Sequence, residues 1–150
     1  MIDDSYLFAI KGDDLVLLRD YAYTYKGKKY IIPKDFHFDG ASIPQLFWSL
    51  IGNPLESEFR QSAMKHDWAY ITHALSFADA NNEFLESLKI HGVSWIKRNL
   101  MWSAVSTAGW FFYRGVDKVD LKWIKEILRD REDKAEIEKT IKIKYYHTLP

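Results

Sequence analysis

The chain has 150 residues, which suits one domain with a sizeable core, and its 47% hydrophobic and 16% aromatic content excludes a disordered chain. Lysine plus arginine and aspartate plus glutamate each total 21, so the formal net charge is zero and the basic footprint of a nucleic-acid binder is absent. The lack of cysteine excludes a disulfide framework, a thiolate metal site and a cysteine nucleophile.

Residues 5–32 read as strands. Asp14-Leu15-Val16-Leu17-Leu18 is a short apolar run. Tyr21-Ala22-Tyr23-Thr24-Tyr25 alternates, Lys26-Gly27-Lys28 turns, and Lys29-Tyr30-Ile31-Ile32 returns, which is a hairpin pattern ended by Pro33. Residues 33–56 are punctuated by Pro33, Gly40, Pro44, Gly52 and Pro54 and read as irregular, with a short helix over Gln45–Leu50. Three helices follow. The first spans Glu56–His73 with an apolar set of Phe59, Ala63, Tyr70 and Ile71; the second spans Ser76–Ile90 and opens on a capping pattern; the third is the aromatic run Val93–Tyr113. Gly109 either weakens the last turn of that third helix or lets a neighbour approach closely. From Val116 a narrow stripe of Leu121, Ile124 and Leu128 precedes a stretch dense in both charges, and Ile141–Tyr146 reads as a returning strand. Met1–Ser5 carries neither the basic region nor the apolar run of a secretion signal. The most apolar stretch, Leu100–Phe112, is shorter than the roughly 20 residues that a bilayer span requires.

The residues that suggest chemistry are His66-Asp67-Trp68-Ala69-Tyr70 and Asp79. Positions i and i+4 share a helical face, so His66 and Tyr70 stack, and Asp67 projects about 100° away. An antiparallel second helix carries Asp79 in its first turn, within reach of the His66 ring or the Tyr70 hydroxyl. A carboxylate there sets the imidazole tautomer, raises its pKa and leaves the other nitrogen as a base for water. Asp67, turned toward the preceding loop, suits a hard cation such as calcium. Upstream, Asp39 offers another oxygen and Gly40 a close backbone approach; Ser42 and Pro44 complete a loop that also reads simply as a turn and helix cap. A structural account of the first cluster stands ahead of the catalytic one on residue types alone: Asp79 caps with Ser76, and His66 is an interior histidine that specifies helix packing.

The run Phe38-Asp39-Gly40-Ala41-Ser42-Ile43-Pro44, with Phe47-Trp48, Ile51-Gly52-Asn53-Pro54, His66-Asp67, Tyr70, Ala78-Asp79 and Phe84, resembles a phage and prophage family known as domain of unknown function 1353. That resemblance covers about residues 10–113 and implies a phage-encoded protein from a neighbourhood of tail or structural genes. The middle of the chain is also similar to the phospholipase A2 domain of parvovirus capsids, which carries Ala-Ala-x-x-His-Asp-x-x-Tyr followed by Ala-Asp-x-x-Phe. That similarity implies His66 as general base, Asp67 as calcium ligand, and Tyr70 with Asp79 as the orienting pair. The glycine-rich calcium loop of that domain has one glycine here, in Ile51-Gly52-Asn53-Pro54.

The expectation is an α+β protein: an N-terminal antiparallel hairpin or small sheet packed on a three-helix core over residues 1–115, with a C-terminal amphipathic helical arm over 116–150. Two functions stand. One is a phage particle (tail or structural) component or assembly factor that binds other phage structural proteins or itself. The other is a calcium-assisted ester hydrolase acting on host membrane lipid during entry or lysis. The expected location is the host cytoplasm during assembly, with the virion as the alternative.

Overall fold

The computed structural model describes residues 4–39, 48–52 and 58–150. The expected α+β architecture holds. Strands β1 (Phe8–Lys11), β2 (Asp14–Leu17) and β5 (His37–Phe38) form one antiparallel sheet in the order β1-β2-β5. Strands β3 (Tyr21–Tyr25) and β4 (Lys28–Ile32) form a separate hairpin. Its register pairs Tyr25 with Lys28, which leaves a two-residue turn. Both turn residues, Lys26 and Gly27, have positive φ (48° and 75°), the geometry whose twist matches that of the flanking strands. On one face of the hairpin the Tyr23 and Tyr30 rings stack at 5.3 Å. Strand β5 lies inside the stretch expected to be irregular. Two residues carry no readable period, and only pairing with Leu15 and Val16 makes them a strand.

The helices are α1 (Trp48–Ile51), α2 (Arg60–Thr72), α3 (Phe77–Ile90), α4 (Trp95–Arg114), α5 (Lys118–Leu128) and α6 (Lys134–Glu138). Ser76 and Ser94 cap α3 and α4 by accepting from the Asp79 and Lys97 amides. The returning strand expected over Ile141–Tyr146 does not form; the segment holds a 3₁₀ turn, Lys144–Tyr146, and the Lys142 amide donates to the Thr72 carbonyl at 2.9 Å. No helix among the described residues is long and apolar enough to cross a membrane.

Helix α2 is the centre of the molecule: 11 of its 13 residues are buried. Trp68 meets Phe36 edge-on at 5.2 Å, and Phe36 stacks on Trp123 of α5 at 5.9 Å, so α2, the strand layer and α5 share one core. The stripe Leu121, Ile124 and Leu128 is fully buried in it, as are Ile137 and Tyr146, in one cluster with Leu17, Ile32 and Trp68. Arg131 anchors the same tail by two 2.7 Å hydrogen bonds to the Asp20 carboxylate. A second cluster, built on Phe59, Phe84, Leu88, Met101 and Val105, joins α3 to α4.

Gly109 permits the close helix approach that its position suggested. A Cβ there would lie 2.5 Å from the Tyr70 hydroxyl oxygen. Gly109→Ala should therefore cost about 1–3 kcal/mol by overpacking, read as a lower urea midpoint; an unchanged midpoint would show that Tyr70 yields freely.

Candidate functional site

A buried helix must find partners for most of the polar side chains it carries. Helix α2 finds them for Ser62, Lys65, His66 and Tyr70 along a seam with antiparallel α3, while the buried Trp68 indole N–H has no hydrogen-bond partner among the described residues. Ser62 and Ser87 share a hydrogen bond of 2.7 Å. The Lys65 ammonium donates to Glu83 at 2.6 Å, with both side chains only 8% exposed. The His66 Nε2–H donates to the Asn81 Oδ1 at 2.9 Å, and the Tyr70 hydroxyl donates to the same oxygen at 2.6 Å. The His66 ring is also packed against Tyr70 (4.0 Å) and Phe84 (4.7 Å).

The expected His66–Asp79 pairing is thus replaced by His66–Asn81. The Asp79 carboxylate instead takes hydrogen bonds from Lys26 (2.7 Å) and Tyr25 (3.3 Å) of the β3–β4 hairpin, and its amide is capped by Ser76. Helix geometry accounts for this. Asp79 lies two residues before Asn81, so the two point about 200° apart on α3. Asn81 falls on the stripe formed with Phe77 and Phe84, the stripe that faces α2. The Phe77, Phe84 and Leu88 spacing contains the signal for Asn81, because the residue between them on that face is 81 and not 79.

Electrostatics follow from burial. His66 is 1% exposed, and burial lowers its pKa from 6.5 to about 4, partly opposed by the Asn81 hydrogen bond. The imidazole is neutral at pH 7, and Nε2 carries its proton. Burial also raises the Tyr70 hydroxyl, with the Asp67 charge adding to the effect. Lys26 holds the Asp79 carboxyl below its ordinary value.

On the other flank of α2 lies a pocket of about 710 Å³. It brings together three of the expected site residues: Asp67, Tyr70 and Asp39. Gly40, Ser42 and Pro44 lie outside the described residues. Asp14, Asp117 and Asp120 join Asp67 and Asp39, and the apolar part of the lining is Phe111, Phe112, Val119 and Trp123. His37 also lines it, 3.7 Å from Asp14. Burial raises the Asp120 carboxyl, and the nearby Asp117 and Asp39 charges add to this. Among the described residues no group of three ligating side chains converges to hold a metal ion. His73, seven residues after His66, leaves this region; it ends α2 in a left-handed conformation, stacked on Tyr113 at 3.8 Å with its Nε2–H donating to the Tyr113 carbonyl. The α5 contribution to the pocket was invisible in the sequence because it depends on where the tail folds back.

No solved structure matches the chain. Two proteins of Sinorhizobium fredii (strain NBRC 101917 / NGR234) are similar to it. "Uncharacterized protein y4jT" is 36% identical over 83 residues, which is 55% of this chain and 25% of that protein. "Uncharacterized protein y4iH" is 29% identical over 106 residues, 69% of this chain and 44% of that protein. The chain therefore spans less than half the length of either relative. Residues 15–105 match the family described as "Protein of unknown function (DUF1353)", and the chain belongs to that family.

Proposed function

We propose that the chain works by protein–protein interaction, as a component or assembly factor of a phage-type particle. The observation that carries the interaction is the exposed apolar side chains at the two ends of α4: Trp95 and Ile96 at its start, and Trp110, Phe111 and Phe112 at its end, with Phe111 79% accessible. Neighbouring exposed apolar side chains mark contact sites, and tryptophan and other aromatic residues contribute heavily to interface energies. The particle context rests on the resemblance of the Phe38–Phe84 run to phage proteins. In the native host, the tagged chain should co-purify with particles or with a cross-linked complex heavier than its own 17.7 kDa. Trp95→Ser with Phe111→Ser should lose that complex without lowering the melting temperature. A wild-type chain that remains monomeric, and absent from particles, sinks the reading.

A second reading, the calcium-assisted ester hydrolase, is favoured by the meeting of Asp67, Asp39 and Tyr70 in one pocket, with His66 next to Asp67 on the same helix. It is weakened by Asn81. In the phospholipase pattern Ala-Asp-x-x-Phe, the phenylalanine follows the carboxylate by three residues. Here that spacing is met by Ala80-Asn81-Asn82-Glu83-Phe84, with an amide where the carboxylate belongs. A neutral partner does not favour the imidazolium as a carboxylate does. Asn81→Asp should raise the His66 pKa, followed by NMR titration. On this reading it should also increase calcium-dependent fatty-acid release from mixed micelles by about tenfold or more. No turnover in either protein would remove the hydrolase.

A further inference from the structure

We propose that the groove between the end of α4 and the start of α5 receives a cationic segment of the partner protein: a lysine- or arginine-bearing chain whose aliphatic stem lies on Phe111, Phe112 and Val119 while its charge meets Asp117, Asp120 and Asp14. The proposal rests on the interaction reading above and names the chemistry of the partner.

The first support is charge. Five aspartates line the groove, and no lysine or arginine is among its described lining residues, although the whole chain is neutral. A cleft lined by one sign of charge concentrates the field and draws the opposite sign. The half-buried Asp120 makes no ion pair with a described residue, and the charges acting on it, those of Asp117 and Asp39, have the same sign as its own. An incoming cation relieves that repulsion.

The second support is the rim. Phe111, Phe112 and Val119 (67% exposed) line the same opening as the aspartates, and Val119 lies between Asp117 and Asp120 at the start of α5. Lysine and arginine side chains match such a mixed lining, because their methylene stems cover apolar surface while the head stays with the charge. The volume of about 710 Å³ exceeds what one point ion requires, and no three described ligating side chains converge. Several carboxylates in one groove suit a chain that carries several charges. They repel a nucleic-acid backbone.

The test uses the full chain and two dye-labelled synthetic decapeptides, identical except that one carries four lysines among leucine and glycine and the other four glutamates. Fluorescence anisotropy should show saturable binding of the lysine peptide, weakening as salt is raised, and none of the glutamate peptide. Asp117→Asn with Asp120→Asn should weaken the lysine peptide about tenfold. Asparagine also caps helices, so α5 keeps the N-cap that Asp117 now provides to the Val119 amide. Equal binding of both peptides, no binding of the lysine peptide, or an unaffected double variant overturns the proposal. Displacement by spermidine at concentrations as low as the peptide's own also overturns it, in favour of a small polycation. The host complex separates the two ideas. If the acidic-wall variant keeps that complex while Trp95→Ser with Ile96→Ser, outside the groove, loses it, the groove falls and the interaction reading stands. If the wild type binds the lysine peptide but forms no host complex, the interaction reading falls instead.

Discussion

Glu83→Ala should cost about 3–5 kcal/mol of folding stability, because it leaves the Lys65 ammonium buried without its counter-charge. The pair is 2.6 Å apart, and each side chain is 8% exposed. Burial raises the Glu83 carboxyl despite the lowering effect of Lys65, and the hydration two charges lose on burial offsets much of their attraction. Replacing the pair as a unit should then cost far less than breaking it: Lys65→Met with Glu83→Leu should recover most of the loss. Urea unfolding of the two single variants and the double variant measures this. A Glu83→Ala variant within about 1 kcal/mol of wild type would mean that water reaches Lys65 and that the seam is looser than its geometry implies.

Stability should also fall steeply on mild acidification, through His66. Its folded pKa of about 4 lies below the ordinary 6.5, so between those values the unfolded chain binds a proton that the native chain refuses. The contribution is complete above about pH 6.5 and declines as the pH falls, and the loss reaches about 3 kcal/mol by pH 4. His73 acts in the same direction, also lowered by burial. The difference between wild type and His66→Gln, which cannot take up a proton, isolates the buried ring. The two unfolding free energies, measured from pH 7 down to pH 4.5, should converge as the pH falls. Parallel curves would show that His66 meets water in the native state.

Much of the fold was legible in local sequence. The hairpin showed in the alternating tyrosines and Lys26-Gly27, the start of α3 in Ser76, and the buried stripe of α5 in Leu121, Ile124 and Leu128. These features depend on backbone preference and on side chains a few residues apart, and such interactions are written in the chain itself. Helix α2 was harder to interpret. Its existence was clear, but its expected apolar stripe turned out to be burial on nearly every side, because α3 supplies partners for Ser62, Lys65, His66 and Tyr70.

The residues of the candidate site followed the same division. His66 and Tyr70 shared a face, as i and i+4 spacing requires, and Asp67 turned to the other flank. By itself, then, the sequence determined the α+β class, the helix that carries the histidine and the direction of its side chains. Whether Asp79 or Asn81 met His66 depended on the rotation of α3 about its axis, set by burial of Phe77, Phe84 and Leu88. The pocket wall of Asp117, Asp120 and Trp123 depended on α5 folding back over α2 and Phe36. Only the tertiary structure decided those contacts, because they join residues tens of positions apart and their energy comes from burying surfaces that no local window contains.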